Sequence, residues 1–245
     1  MSLDPKQQAI PEPQPGTEPT DVPSRQETHA NPAPTLAWIQ SRVHDIYSAA
    51  KHLPSDSKSV NISTGAYTKI YTAIFDYVTS GKRRSVHLPG EDLYRTLERE
   101  IRVYCSDIRY ILFRKETQGN ALDAHAAGSL LAAYMVQWER FMKLTKFIRN
   151  LFHFMGRHWI KREIDEKNKN VYTVENLHKK LWKEETLQIQ KDELSSQELQ
   201  ALTAAAMILR EKAGGMTAEE TDLIESSVKS LSSIDLIIDG CVEAT

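Results

Sequence analysis

The sequence predicts an all-α antiparallel helical bundle, on three observations. Apolar residues recur at steps of three and four through most of the chain from residue 35 onward. Two of the later periodic runs follow a Ser/Thr-x-x-Glu signature, at Ser195–Glu198 and at Thr217–Glu220, the spacing of a capping box. No stretch alternates polar and apolar residues between turn signals, as half-buried strands would.

Residues 1–34 are of a different class. Eight of the ten prolines lie there, among Gln, Glu, Thr and Ser. Such a segment buries too little apolar surface to offset an ordering cost of roughly 1–2 kcal/mol per residue, so a disordered Pro-rich tail is expected over 1–34 and a helical domain over 35–245. Pro11 to Pro15 could adopt polyproline II and dock on a partner, or simply stay solvated.

The first helix is expected to start at an N-cap, Thr35, with Leu36, Ile39, Val43, Ile46 and Tyr47 on its inner face. Pro54 and the polar run to Thr64 interrupt the chain. A second helix is predicted over 64–80, carrying Tyr67, Ile70, Tyr71, Ile74, Phe75 and Val78. A loop through Gly81 to Arg84 and Pro89-Gly90 leads to a third helix near Glu91, with Leu93, Leu97, Ile101, Tyr104, Ile108 and Ile111 in its stripe. After a loop at Gln118 to Asn120, a helical region over 126–166 is expected to bend or break once, because about 40 residues of unbroken helix is unusual in a compact domain. Helices are then predicted over 173–190, 195–212 and 217–237, with Gly214-Gly215 as a stop between the last two.

The 245 residues carry a formal charge of −2, which argues against a general nucleic-acid or membrane binder. No apolar run approaches the ~20 residues that span a bilayer, and the N-terminus lacks the pattern of a signal peptide. Cys105 and Cys241 have no metal-ligand spacing and suit a reducing compartment, so the cytoplasm and nucleus are expected. The Asn61-Ile62-Ser63 sequon reads as chance in that setting. Ser80-Gly81-Lys82 lacks the remaining residues of a phosphate loop, and His153 and His158, five apart, diverge on a helix instead of sharing a metal. No cofactor, metal site or catalytic residue is expected.

Two surpluses of apolar surface stand out. Tyr67, Tyr71, Phe75 and Tyr77 exceed one narrow stripe, so this helix is either buried on two sides or offers one side to a partner. Further along, Phe141, Leu144, Ile148, Leu151 and Met155 describe one buried stripe, and Phe147, Phe154 and Trp159 fall partly outside it. A basic set, Lys143, Lys146, Arg149, Lys161 and Arg162, offers a weak nucleic-acid reading, which the acidic residues just after it oppose.

Residues Arg157 to Glu166, with Asn170-Val171-Tyr172 after them and Gln137-Trp138-Glu139 upstream, resemble the corresponding segment of the SCF-type cullins; other cullin subfamilies carry different residues at the Arg-His-Trp position. The likeness runs from about Leu36 to Ile237 and fades after Trp182. It implies the first of three cullin repeats, a non-enzymatic scaffold of ubiquitin ligases in which this repeat holds a Skp-type adaptor with its F-box receptor. By position the resemblance assigns the adaptor surface to Tyr67, Thr68, Tyr71 and Phe75 on the second helix, and to Phe147, Asn150 and Phe154 on the fifth. Thr68 stands where the family often has a larger residue, and a polar insertion precedes the second helix. The later repeats and the RING-binding domain lie outside the resemblance, so no RING subunit is expected as a partner. The chain then reads either as a fragment of a scaffold or as a standalone regulator that captures adaptors.

Overall fold

Ser24 opens the first described helix. Its hydroxyl accepts from the Glu27 amide while the Glu27 carboxylate accepts from the Ser24 amide, a complete capping box that starts the short helix α1, Arg25–Ala30. The computed structural model describes residues 21–54, 57, 60–80, 89–114, 123–189, 196–212 and 215–236. Pro11 to Pro15, Gly81 to Arg84, Gln118 to Asn120 and Cys241 lie outside them. A described helix therefore precedes the boundary expected at residue 35. The Thr28 hydroxyl meets that of Thr35 at 2.8 Å, both side chains buried, and Arg25 reaches Asp76 at 3.7 Å.

That contact also corrects the role of Thr35. It lies inside α2, Ala33–Ala50, which starts at Pro32 with Pro34 in its first turn, and its hydroxyl points into the α1 junction. Helix α3, Thr64–Thr79, is capped by Ser63, whose hydroxyl accepts from the Ala66 amide; the sequon serine thus has a structural task. Helix α4 runs Pro89–Phe113. Its inner face is Leu93, Leu97, Ile101, Tyr104, Ile108 and then Leu112, not Ile111, which is exposed: the stripe takes a step of four at its end where three was expected.

Helix α5, Ala124–Leu151, begins on an Asp123 cap. The expected break falls at Phe152, and the chain continues as α6, His153–Met155, a π-helical turn, Gly156–Ile160, and α7, Lys161–Asp165. Lys167, at φ +62°, turns the chain back toward α4, where the Tyr172 amide donates to the Tyr94 hydroxyl at 2.8 Å. Helix α8, Val174–Leu181, ends in a second π-helical turn, Trp182–Thr186. Helix α9, Gln197–Arg210, is capped by Ser196, one residue later than the signature suggested, and its cap is a single Ser196–Leu199 bond. Helix α10, Ala218–Ser232, has the full Thr217–Glu220 capping box. No strand occurs among the described residues.

Helix α5 is the central post. Helices α9 and α10 pack along one side of it and α8 along another, while α2 and α4 pair across the core and α3 lies between α1, α2 and α6. Seven rings fill the centre: Tyr47, Tyr104, Tyr134, Trp138, Phe141, His178 and Trp182, with Phe141 only 4.6 Å from Trp182 between centroids. His178 makes the polar contact inside this cluster. Its Nδ1 lies 2.6 Å from the Val174 carbonyl, which can only accept, so Nδ1 carries the proton and Nε2 accepts from the Tyr47 hydroxyl at 2.7 Å. Burial pushes the imidazole down to about 4.

Candidate functional site

Helix α3 has two faces that its sequence period separates. Ile70, Ala73, Ile74 and Tyr77 are buried against α2 and α4, and the Tyr77 hydroxyl donates to Asp92 at 3.0 Å. Tyr67, Tyr71, Phe75 and Val78, one step around, are only half-buried. Tyr77 and Ile70 thus stand on a different face from the half-buried rings.

The break at Phe152 brings the second surplus to the first. Phe147, on the last turns of α5, meets Tyr67 edge-on at 5.7 Å between centroids, and Tyr67 stacks with Tyr71 at 6.4 Å. Phe154, just past the break, meets Phe75 at 4.6 Å and also touches the His158 imidazole at 4.4 Å. The result is a half-exposed aromatic strip with one edge on α3 and the other on α5 and α6. Thr68 and Asn150 are exposed at its margins; the Thr68 hydroxyl is turned back onto the Thr64 carbonyl at 2.9 Å. Partial burial, and then the neighbouring Tyr71 hydroxyl, push the Tyr67 phenol above its ordinary value.

Trp159 does not join the strip. It is 7% exposed, packs 5.5 Å from the Tyr94 ring and lies over Gly90 at the start of α4. It braces the chain against α4, beside the Tyr94 hydroxyl that accepts from the Tyr172 amide. Sequence reasoning missed His158, the ring that extends the strip beyond Phe154. The Phe154–His158 spacing of four was the available signal.

The charged surroundings do not make a phosphate track. Arg149 pairs with Glu175 at 3.0 Å, and Arg162 with Glu163 at 3.0 Å and Glu166 at 3.8 Å. Among the described residues no group of three or more His, Cys, Asp or Glu is placed to hold a metal ion, and no helix is long and apolar enough to cross a membrane. Cys105 is buried, and burial pushes its thiol well above the ordinary range.

The family model for the cullin alpha solenoid domain matches residues 37–237. Cullin-1 of Dictyostelium discoideum is 30% identical over 128 residues, covering 47% of this chain and 15% of that protein. Cell division control protein 53 of Saccharomyces cerevisiae is 26% identical over 183 residues, 69% of this chain and 21% of its own length. Cullin-1 of Caenorhabditis elegans is 26% identical over 154 residues, 55% of this chain and 18% of its own. The matched region thus spans about a fifth of the length of these curated relatives.

Proposed function

The chain belongs to the cullin family, and on that premise we propose that it is a non-catalytic docking module whose aromatic strip binds a Skp-type adaptor carrying an F-box receptor, the scaffold role of an SCF-type ubiquitin ligase. The observation that carries this reading is the junction of α3 with α5 and α6. Tyr71 and Phe154 are 83 positions apart in sequence, yet their rings belong to one half-exposed surface through Tyr67–Phe147 and Phe75–Phe154. Half-buried aromatics preassembled by mutual contact lose little freedom on binding, and they supply large area with a polar tip. The reading places the protein in the cytoplasm and nucleus, which a fluorescent fusion would test.

The decisive experiment is titration calorimetry of the purified chain with a purified Skp-type adaptor. Central aromatic anchors typically cost about 2 kcal/mol or more on truncation, a factor of roughly 30 in Kd. Tyr71→Ala and Phe154→Ala should each weaken binding by about that factor, and the double variant should depart from additivity. Folded variants that bind as wild type would remove the strip from the adaptor interface. An adaptor that does not bind the wild-type chain would remove the reading altogether.

A further inference from the structure

A groove of about 510 Å³ lies between the α5–α6–α7 rod and the start of α8. Its floor and walls are apolar: Phe152, Gly156, Ile160, Ile164 and Val174. Ile164, 39% exposed, closes one end of that apolar lining. Along the rim run His153, Arg157 and Lys161, at steps of four, all exposed. Among the described residues no carboxylate pairs with any of these three; Arg149 at the near end is taken by Glu175, and Glu175 in turn by Lys179 at 3.2 Å. The π-helical turn at Gly156–Ile160 inserts extra backbone at this point, a device common at functional sites because it re-aims side chains. Gly156 leaves the floor open, with nothing within 4 Å of where a Cβ would stand.

We propose that this groove is a second docking surface, and that it takes an acidic, amphipathic helical segment of a partner protein. Charge complementarity selects the sign: two cations, Arg157 and Lys161, without a carboxylate partner among the described residues, stand with the His153 imidazole along one rim of an apolar trough. The trough selects the class. From Arg149 to Ile164 the rod is roughly 20 Å long, the length of a helix of about fifteen residues, and its open glycine lets a partner approach the rod's own backbone. A nucleic acid would meet the same cations but would leave Ile160, Ile164 and Val174 uncovered, and it would bring phosphates against the Glu175 carboxylate. The proposal does not depend on what the aromatic strip binds.

The test uses the full chain and three fluorescein-labelled peptides of about 18 residues, with Leu, Ile or Phe at i, i+3, i+4 and i+7 and glutamates on the opposite face. A scrambled peptide of equal composition and a single-stranded oligothymidine serve as competitors. Fluorescence anisotropy is read at about 50 mM and about 200 mM salt. At least one patterned peptide should bind saturably and better than its scrambled form. Gly156→Leu, which fills open space and favours helix, and the double variant Arg157→Glu with Lys161→Glu should each weaken binding by roughly tenfold or more at unchanged melting temperature. Tyr71→Ala should bind the peptide as wild type does, and both groove variants should still bind adaptor wherever wild type does. The proposal is overturned if no patterned peptide saturates, if scrambling makes no difference, if oligothymidine displaces the peptide with equal or greater affinity, or if Gly156→Leu binds as wild type.

Discussion

The protein has two aromatic clusters built from the same residue types, and they differ in what lies on their outer side. The inner one, around Phe141 and Trp182, is buried, and its Tyr47 hydroxyl bonds to the His178 imidazole. The outer one, around Tyr67, Phe75 and Phe154, is closed on one side and open on the other. Rings in the first contribute nearly all their area to stability. Rings in the second contribute half of it to stability and keep the other half for contact. One long helix serves both, since Phe141 and Phe147 stand on α5 only six positions apart.

Phe141→Ala should produce the largest effect. It removes a fully buried ring that touches Tyr104, Trp138, His178 and Trp182, and a loss of about 3–5 kcal/mol in urea unfolding is expected. A loss below about 1 kcal/mol would break the contrast between the clusters, since that is what a surface ring gives.

Next comes the pH response of the inner cluster. His178 is held neutral at about 4 in the folded chain against an ordinary 6.5. Between those values the unfolded chain binds a proton that the folded chain does not, so this contribution is intact above pH 6.5 and fades as pH falls toward 4. The full loss is on the order of 3 kcal/mol. Chemical unfolding at pH 7 and at pH 5 should show it, and His178→Gln should flatten the difference; an equal slope in that variant would assign the effect to carboxylates instead.

Outer-cluster truncations should be milder on stability. Tyr71→Ala and Phe154→Ala are expected to cost about 1–2 kcal/mol in unfolding, because only part of each ring leaves water on folding. Costs equal to that of Phe141→Ala would mean the strip is core and would leave it no surplus for a partner.

The smallest expected effects sharpen the edge of the outer cluster, where α1 lies along α3. Truncation through Asn31 removes the Arg25–Asp76 ion pair and leaves the Thr35 hydroxyl buried without Thr28; about 1–2 kcal/mol is expected. Thr28→Val alone should cost about 1 kcal/mol. A truncation with no effect on the melting curve would return the domain boundary to residue 35.

Much of this was legible in the sequence. The stripe Phe141, Leu144, Ile148, Leu151, Met155 is buried throughout, and the break in the long helical region fell within it, because helical period and length limits are local properties. Cap registers and stripe ends were not. Ser195 and Ser196 both offer a hydroxyl in sequence, and Ser196 caps the helix; Ile111 and Leu112 are both apolar, and Leu112 is the one buried. The start of order was missed because composition averages hide a six-residue helix inside a proline-rich segment. Each edge of the aromatic strip was visible as a surplus. Their junction was a tertiary fact, fixed by how α6 leaves the break at Phe152. The groove beside α8 had no sequence signal beyond His153, Arg157 and Lys161 at steps of four, a pattern any solvated helix face can show.

Gly90 and Trp159 set a tolerance for the whole arrangement. The indole lies so close over Gly90 that even a methyl group there would overlap it. Trp159 is a near neighbour, along one continuous rod, of both Phe154 on the strip and Ile160 in the groove wall. The depth of that single seat therefore acts as a mechanical datum, from which the positions of two surfaces are measured. Gly90→Ala would raise the rod from its seat and shift both surfaces together. A residue that touches neither surface would so govern the alignment of each.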